Sequence, residues 1–179
     1  MKNKQGITKI VIVLVVICFG IINGGRQLDN KVEDLNTIFM DGENKDGLSI
    51  HYDLTKIDDS LSYFLSLAKL YDVNTDTINS LNSLHKEYQE NESIKEYSKW
   101  YDEVKDLYPI AIGEVKSENL SDQHKNMLNK YEATFNSAIH TIAYSSFNSS
   151  VREYEEETDG FLAGLLKTMT GVEGVDTFD

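Results

Sequence analysis

Residues 54–71 read LTKIDDSLSYFLSLAKLY, and within them Leu54, Ile57, Leu61, Phe64, Ala68 and Tyr71 recur at alternating steps of three and four. On a helix of ~3.6 residues per turn those steps keep the apolar side chains on one face, with Asp, Lys and Ser elsewhere. A strand would need alternation by two, which this stretch lacks. The stripe must be covered by another element, so the stretch predicts one helix of a helical assembly.

The same period recurs on both sides. Upstream, Leu28, Val32 and Leu35 step by four and three before the polar loop Asp41-Gly-Glu-Asn-Lys-Asp-Gly47. Downstream, Asn74 is placed to cap a helix carrying Ile78, Leu81, His85 and Tyr88 on one face. Ser93-x-x-Glu96 is a capping box opening a helix with Ile94, Tyr97, Tyr101, Val104 and Tyr108, and Pro109 is expected to stop it. Ser121 is a candidate cap for the longest helix, expected to run to about Glu157. Its stripe begins at Leu128, Tyr131, Phe135, Ala138 and Ile142 and drifts to Ala143, Phe147, Val151 and Tyr154. At 1.5 Å per residue that helix would reach ~50 Å, a length that favours lengthwise packing. The expected fold is therefore all-α: an N-terminal membrane helix followed by an elongated antiparallel helical bundle.

Composition agrees. One proline and eleven glycines in 179 residues leave room for long helices, and sheet-type turn signals are absent. Net charge is −13, and no acidic residue precedes Arg26, so fourteen basic residues face thirty acidic ones from there on. Such a body repels nucleic acid and anionic headgroups, which are bound through Lys/Arg patches. Basic or apolar partners suit it better.

Ile10 to Ile22 read IVIVLVVICFGII, an apolar run behind Lys2, Lys4 and Lys9. Extended from Ile7 to Gly25 it offers nineteen positions, close to the ~20 a crossing helix uses. A retained anchor over residues 1–25 is the first reading, with residues 26–179 as an extramembrane bundle. A cleaved signal peptide, with Ile22 and Gly24 at the −3 and −1 positions of the cut, and a lipoprotein or pilin-type leader remain the alternatives. The basic flank places the N-terminus in the cytoplasm and the domain outside the cell membrane. Cys18, the single cysteine, lies within the run and reads as a small membrane-facing residue.

Towards the C-terminus, Ala143-Tyr-Ser-Ser-Phe147-Asn148-Ser-Ser-Val151-Arg-Glu-Tyr154 resembles the pattern A-R-x-x-Y-N-x-x-V-x-x-Y-N of the LemA family of bacterial membrane proteins. Phe161-Leu-Ala163-Gly-Leu-Leu166 is similar to that family's closing segment. Asn23, Leu28 and Val32 match its spacing after the anchor, and Tyr108-Pro109 its mid-chain Tyr-Pro. Tyr144 and Glu155 replace an expected Arg and Asn, so the chain resembles a divergent member. The resemblance implies an N-terminal anchor followed by a long antiparallel bundle, with no established catalytic activity.

His51, His85, His124 and His140 show no i,i+3 or i,i+4 pairing, and no Glu-x-x-His, zinc-protease, nucleophile-elbow, phosphate-loop or EF-hand pattern occurs. The 41–47 loop lacks the ordered ligands of a calcium site. No catalytic, cofactor-binding or metal residue is therefore expected, and no cofactor. Asn148, between Phe147 and Val151 on the core side, reads first as an amide satisfied by a neighbouring helix's backbone or side chain, fixing register, and otherwise as a ligand contact within the bundle. Trp100, beside Tyr97 and Tyr101, reads as packing. Glu155-Glu-Glu157 near a helix C-terminus opposes the helix dipole and suggests fraying or a partner contact. Phe161–Val172 concentrates apolar surface that can fold back on the bundle or meet a partner. The expected function is a non-enzymatic envelope scaffold or adaptor for other proteins; an extracytoplasmic ligand-binding or sensory bundle is the alternative.

Overall fold

The structure is a computed structural model that describes residues 24, 26–44, 47–158 and 175–178. Ile10–Ile22 and Phe161–Val172 lie outside the described residues. Among those described, all regular structure is helical: α1 over 26–41, then α2 (Ile50–Leu70), α3 (Asp76–Tyr88), α4 (Ile94–Lys116), α5 (Asp122–Ala143) and α6 (Ser146–Thr158). None of these helices is long and apolar enough to cross a membrane.

The stripe on α2 organises the bundle. Leu54, Ile57, Leu61, Phe64 and Ala68 are all fully buried, and the helix packs against α3, α4 and α5. Each buried Leu, Ile or Phe contributes about 1.5–3 kcal/mol relative to exposure. Helix directions follow from named contacts. The Tyr88 hydroxyl at the end of α3 meets Thr55 near the start of α2 at 2.9 Å. Thr75, before α3, donates to Glu114 near the end of α4 at 2.7 Å. Tyr71, after α2, accepts from the Ser121 N–H ahead of α5 at 3.1 Å. Neighbours α2/α3, α3/α4 and α2/α5 therefore run antiparallel. Helices α1 and α6 also oppose each other, since Lys31 pairs with Glu157 and Phe39 meets Phe147.

The helix ends are built locally. Ser49 caps α2 by accepting from the Tyr52 N–H at 3.1 Å. Both bonds of the Ser93–Glu96 capping box form. Helix α2 ends in a Schellman motif: the Val73 N–H reaches the Ala68 carbonyl at 2.9 Å and the Asp72 N–H the Lys69 carbonyl at 3.3 Å. Asp72 holds the left-handed position at φ 58°.

Several expectations are corrected. Thr75, not Asn74, caps α3, because the helix begins at Asp76 and the Thr75 hydroxyl then reaches the Ile78 N–H at 3.2 Å. Asn74 instead accepts from the Asn79 side chain. Pro109 does not end α4 but lies inside it. Its ring is on the exposed face, where water can serve the carbonyl that loses its N–H, and the turns beyond bury Ala111, Ile112 and Val115. The expected helix from Ser121 to about Glu157 is two helices, broken at Tyr144-Ser145. Buried Ile142 and buried Phe147 are five residues apart, a step that no continuous helix places on one stripe, and Ala143 between them is exposed. The break re-aims Phe147, Val151 and Tyr154 into the core, and all three are buried.

Candidate functional site

Three elements close one end of the bundle around the chain's C-terminal segment. Helix α1 contributes Phe39, α4 contributes Tyr101 and Ser98, and α6 contributes Phe147 and Asn148. Residues 175–178 lie among them without belonging to a helix or strand. The Phe178 ring packs at centroid distances of 5.7 Å from Phe39, 5.6 Å from Tyr101 and 6.0 Å from Phe147, and is 0 % exposed.

Asn148 supplies the polar half of the site. Its Nδ2 donates to the Phe178 carbonyl at 2.8 Å and to the Ile142 carbonyl at 3.0 Å. Its Oδ1 accepts from the Phe178 N–H at 2.8 Å. One side chain, itself 2 % exposed, therefore holds both the donor and the acceptor of a peptide unit's residue and also the last turn of α5. Ser98 Oγ donates to the Thr177 carbonyl at 3.0 Å. Every one of these bonds to the segment reads backbone, and one aromatic pocket reads a side chain. The arrangement holds residues 177 and 178 in place through main-chain hydrogen bonds and one buried ring. The expected satisfied amide at Asn148 is found, but its main partner is the C-terminal segment rather than a neighbouring helix.

A second polar cluster sits between α2 and α3. Asp58, buried on α2, meets His85 Nδ1 at 2.7 Å and accepts from Gln89 Nε2 at 3.4 Å. Loss of hydration holds the Asp58 carboxyl above its usual range, opposed by the His85 contact. Burial also pushes the nearby Tyr88 hydroxyl up to about 12. The pair links α2 to α3.

The four histidines are dispersed: His51 among Phe39 and Tyr97, His85 on Asp58, His124 on the Tyr71 hydroxyl, and His140 against Tyr144. Burial lowers the pKa of His51. Among the described residues no group of His, Cys, Asp and Glu is placed to hold a metal ion. Trp100 is buried and donates from Nε1 to the Leu84 carbonyl at 2.8 Å, as packing requires. Glu155–Glu157 lie in the last turn of α6, which ends at Thr158, as expected of a run near a helix C-terminus.

Sequence reasoning singled out Asn148, a polar residue on an apolar stripe, and placed His85 on one face of its helix without a role. It missed Phe39, Ser98, Asp58 and Phe178. A lone Phe near a chain end carries no periodic signal, and Asp58 lies one residue off the stripe of α2, where a solvated carboxylate is the ordinary reading. No family model, curated protein or solved structure matches the chain.

Proposed function

We propose that this chain is a membrane-held helical scaffold of the cell envelope that works by binding other proteins rather than by catalysis. The observation that carries the reading is the apolar run Ile10–Ile22 behind Lys2, Lys4 and Lys9, placed directly ahead of an acidic helical body. Phe147, Asn148, Val151 and Tyr154, the residues behind the resemblance to the LemA family, are all buried in α6, and that family's members share an anchor followed by a bundle. Membership as a divergent relative is part of the proposal.

The test is residue-specific crosslinking in intact cells from a cysteine placed at Ser117→Cys in a Cys18→Ser background. The position is exposed at the end of α4. The chain should stay with extracted membranes at its full mass, label from outside the cell, and crosslink to other envelope proteins. A mature chain beginning at Gly25 or Arg26 would overturn the anchor, and labelling only after lysis would reverse the orientation. Absence of any crosslinked protein would overturn the scaffold reading.

A further inference from the structure

His51 is the second residue of α2, after the Ser49 cap and Ile50. Its ring meets rings from two other helices. Phe39 of α1 lies at a centroid distance of 5.9 Å with an interplanar angle of 65°, and Tyr97 of α4 at 5.5 Å and 88°. Phe39 and Tyr97 also touch each other at 5.5 Å, so the three rings form a triangle. It joins the end of α1, the start of α2 and the first turn of α4. Phe39 is buried, and its other ring neighbours are Phe147 and Phe178. The imidazole is therefore part of the contact that seats the end of α1 on the bundle.

Two independent features disfavour a proton on that imidazole. Burial removes the water that would hydrate the cation, and this desolvation holds the His51 pKa below its ordinary value of 6.5. Its place in the first turn of α2 is the second feature. The unpaired N–H groups of a helix N-terminus carry partial positive charge, which repels a cation. Among the described residues no carboxylate forms an ion pair with His51. On α1, Asp41 is exposed, as is Asp176 in the segment that carries Phe178. On α4, the exposed Glu96 accepts from the Glu92 and Ser93 N–H groups. On α2, Asp53 is paired with Lys56 at 2.8 Å. The remaining titratable neighbours are Tyr97 and, against it from α3, Tyr88. Burial raises both phenols, so both stay neutral wherever histidine titrates.

We propose that His51 is an acid-sensitive pin: its neutral imidazole completes the ring junction that seats the end of α1 on α2 and α4, and protonation loosens that junction. The direction follows from linkage. The opened junction binds the proton more readily than the closed one. Seating is therefore complete above the ordinary histidine range and weakens as pH falls through it to the lowered value. The other histidines lack this setting. His85 and His124 are held by polar partners, Asp58 and the Tyr71 hydroxyl, and His140 is exposed. The inference concerns the domain alone and stands whether or not the chain is held in a membrane.

Two measurements on the full-length chain in detergent test it. Nuclear magnetic resonance of the imidazole C–H signals between about pH 8 and about pH 5 follows each histidine, and the His51 signal is the one lost in His51→Phe. It should titrate below the ordinary histidine value. A pKa at or above that value would mean that the Phe39 and Tyr97 ring faces hold the cation, and overturns the proposal. Hydrogen exchange reports on the junction itself. The protection factor of the Phe39 amide should fall at least ~2-fold from the upper to the lower pH in the unsubstituted chain. It should fall by less in His51→Phe, which keeps a ring at the position and removes the site of protonation. An equal fall in both chains overturns the proposal. Should His51→Phe fail to fold, His51→Gln, which also cannot take up a proton, replaces it in both measurements.

Discussion

Asn148 commits both ends of its amide to main chain: two carbonyls, Ile142 and Phe178, and one N–H, that of Phe178. A buried backbone group stripped of its partner costs more than the bond itself was worth. Asn148→Ala should therefore lower unfolding free energy by about 2–3 kcal/mol in urea titration, and a loss below ~0.5 kcal/mol would show that water takes over those bonds. Asp58 makes a different prediction. Desolvation, the largest cause, raises its pKa in the fold, so the folded state holds that proton more tightly than the unfolded chain. Its contribution is fully present below the ordinary carboxylate pKa and is lost as pH rises through the raised one. Denaturation of the unsubstituted chain and Asp58→Asn in parallel should show the unsubstituted chain losing stability relative to the variant across that acidic interval. A constant difference would mean the carboxyl is fully hydrated. At this scale the burial of Asn148 was legible, because a polar residue on an apolar stripe needs a partner. Which partner it finds depends on chain far away, and nothing local specifies that.

Among the elements, the stripes of α2, α3 and α4 and the Ser93–Glu96 box were readable because helix period and cap chemistry are local. Glu96 shows the box acting: hydrogen bonds from the Glu92 and Ser93 N–H groups hold its carboxylate below the usual range. The Schellman end of α2 offers a sharper test. Asp72 sits at φ 58°, where an L side chain is strained and glycine is not. Asp72→Gly should raise stability by about 0.5–1 kcal/mol, after the extra chain entropy of glycine is set against the relieved strain. A loss on substitution would mean that the Asp72 side chain supplies more than the strain removes. Two element boundaries went the other way. Proline at Pro109 and an unbroken run through Tyr144 each gave a local rule that the packing overrode: the turns beyond Pro109 bury Val115, and the break at Tyr144 buries Phe147. The local preference is worth ~3 kcal/mol for an interior proline, which several buried apolar side chains offset.

Over the whole molecule the C-terminal region has the clearest expected effect. Truncation after Gly160 removes Val175 and Phe178 along with the Phe161–Val172 segment, and should lower the thermal midpoint by at least ~5 °C. An unchanged midpoint would show that the bundle keeps its stability with the pocket empty. Helical class, the acidic body, the apolar leader and the positions of most stripes were determined by the sequence alone, because period, composition and charge are properties of residues close together along the chain. Tertiary structure alone decided that α2 is the element against which α3, α4 and α5 pack, that the expected long helix bends back at Tyr144, and that Asp58 meets His85. It also decided that Asn148 grips residue 178. Those outcomes depend on contacts between residues 27 to 30 positions or more apart, whose value is set by which surfaces meet once the helices have formed.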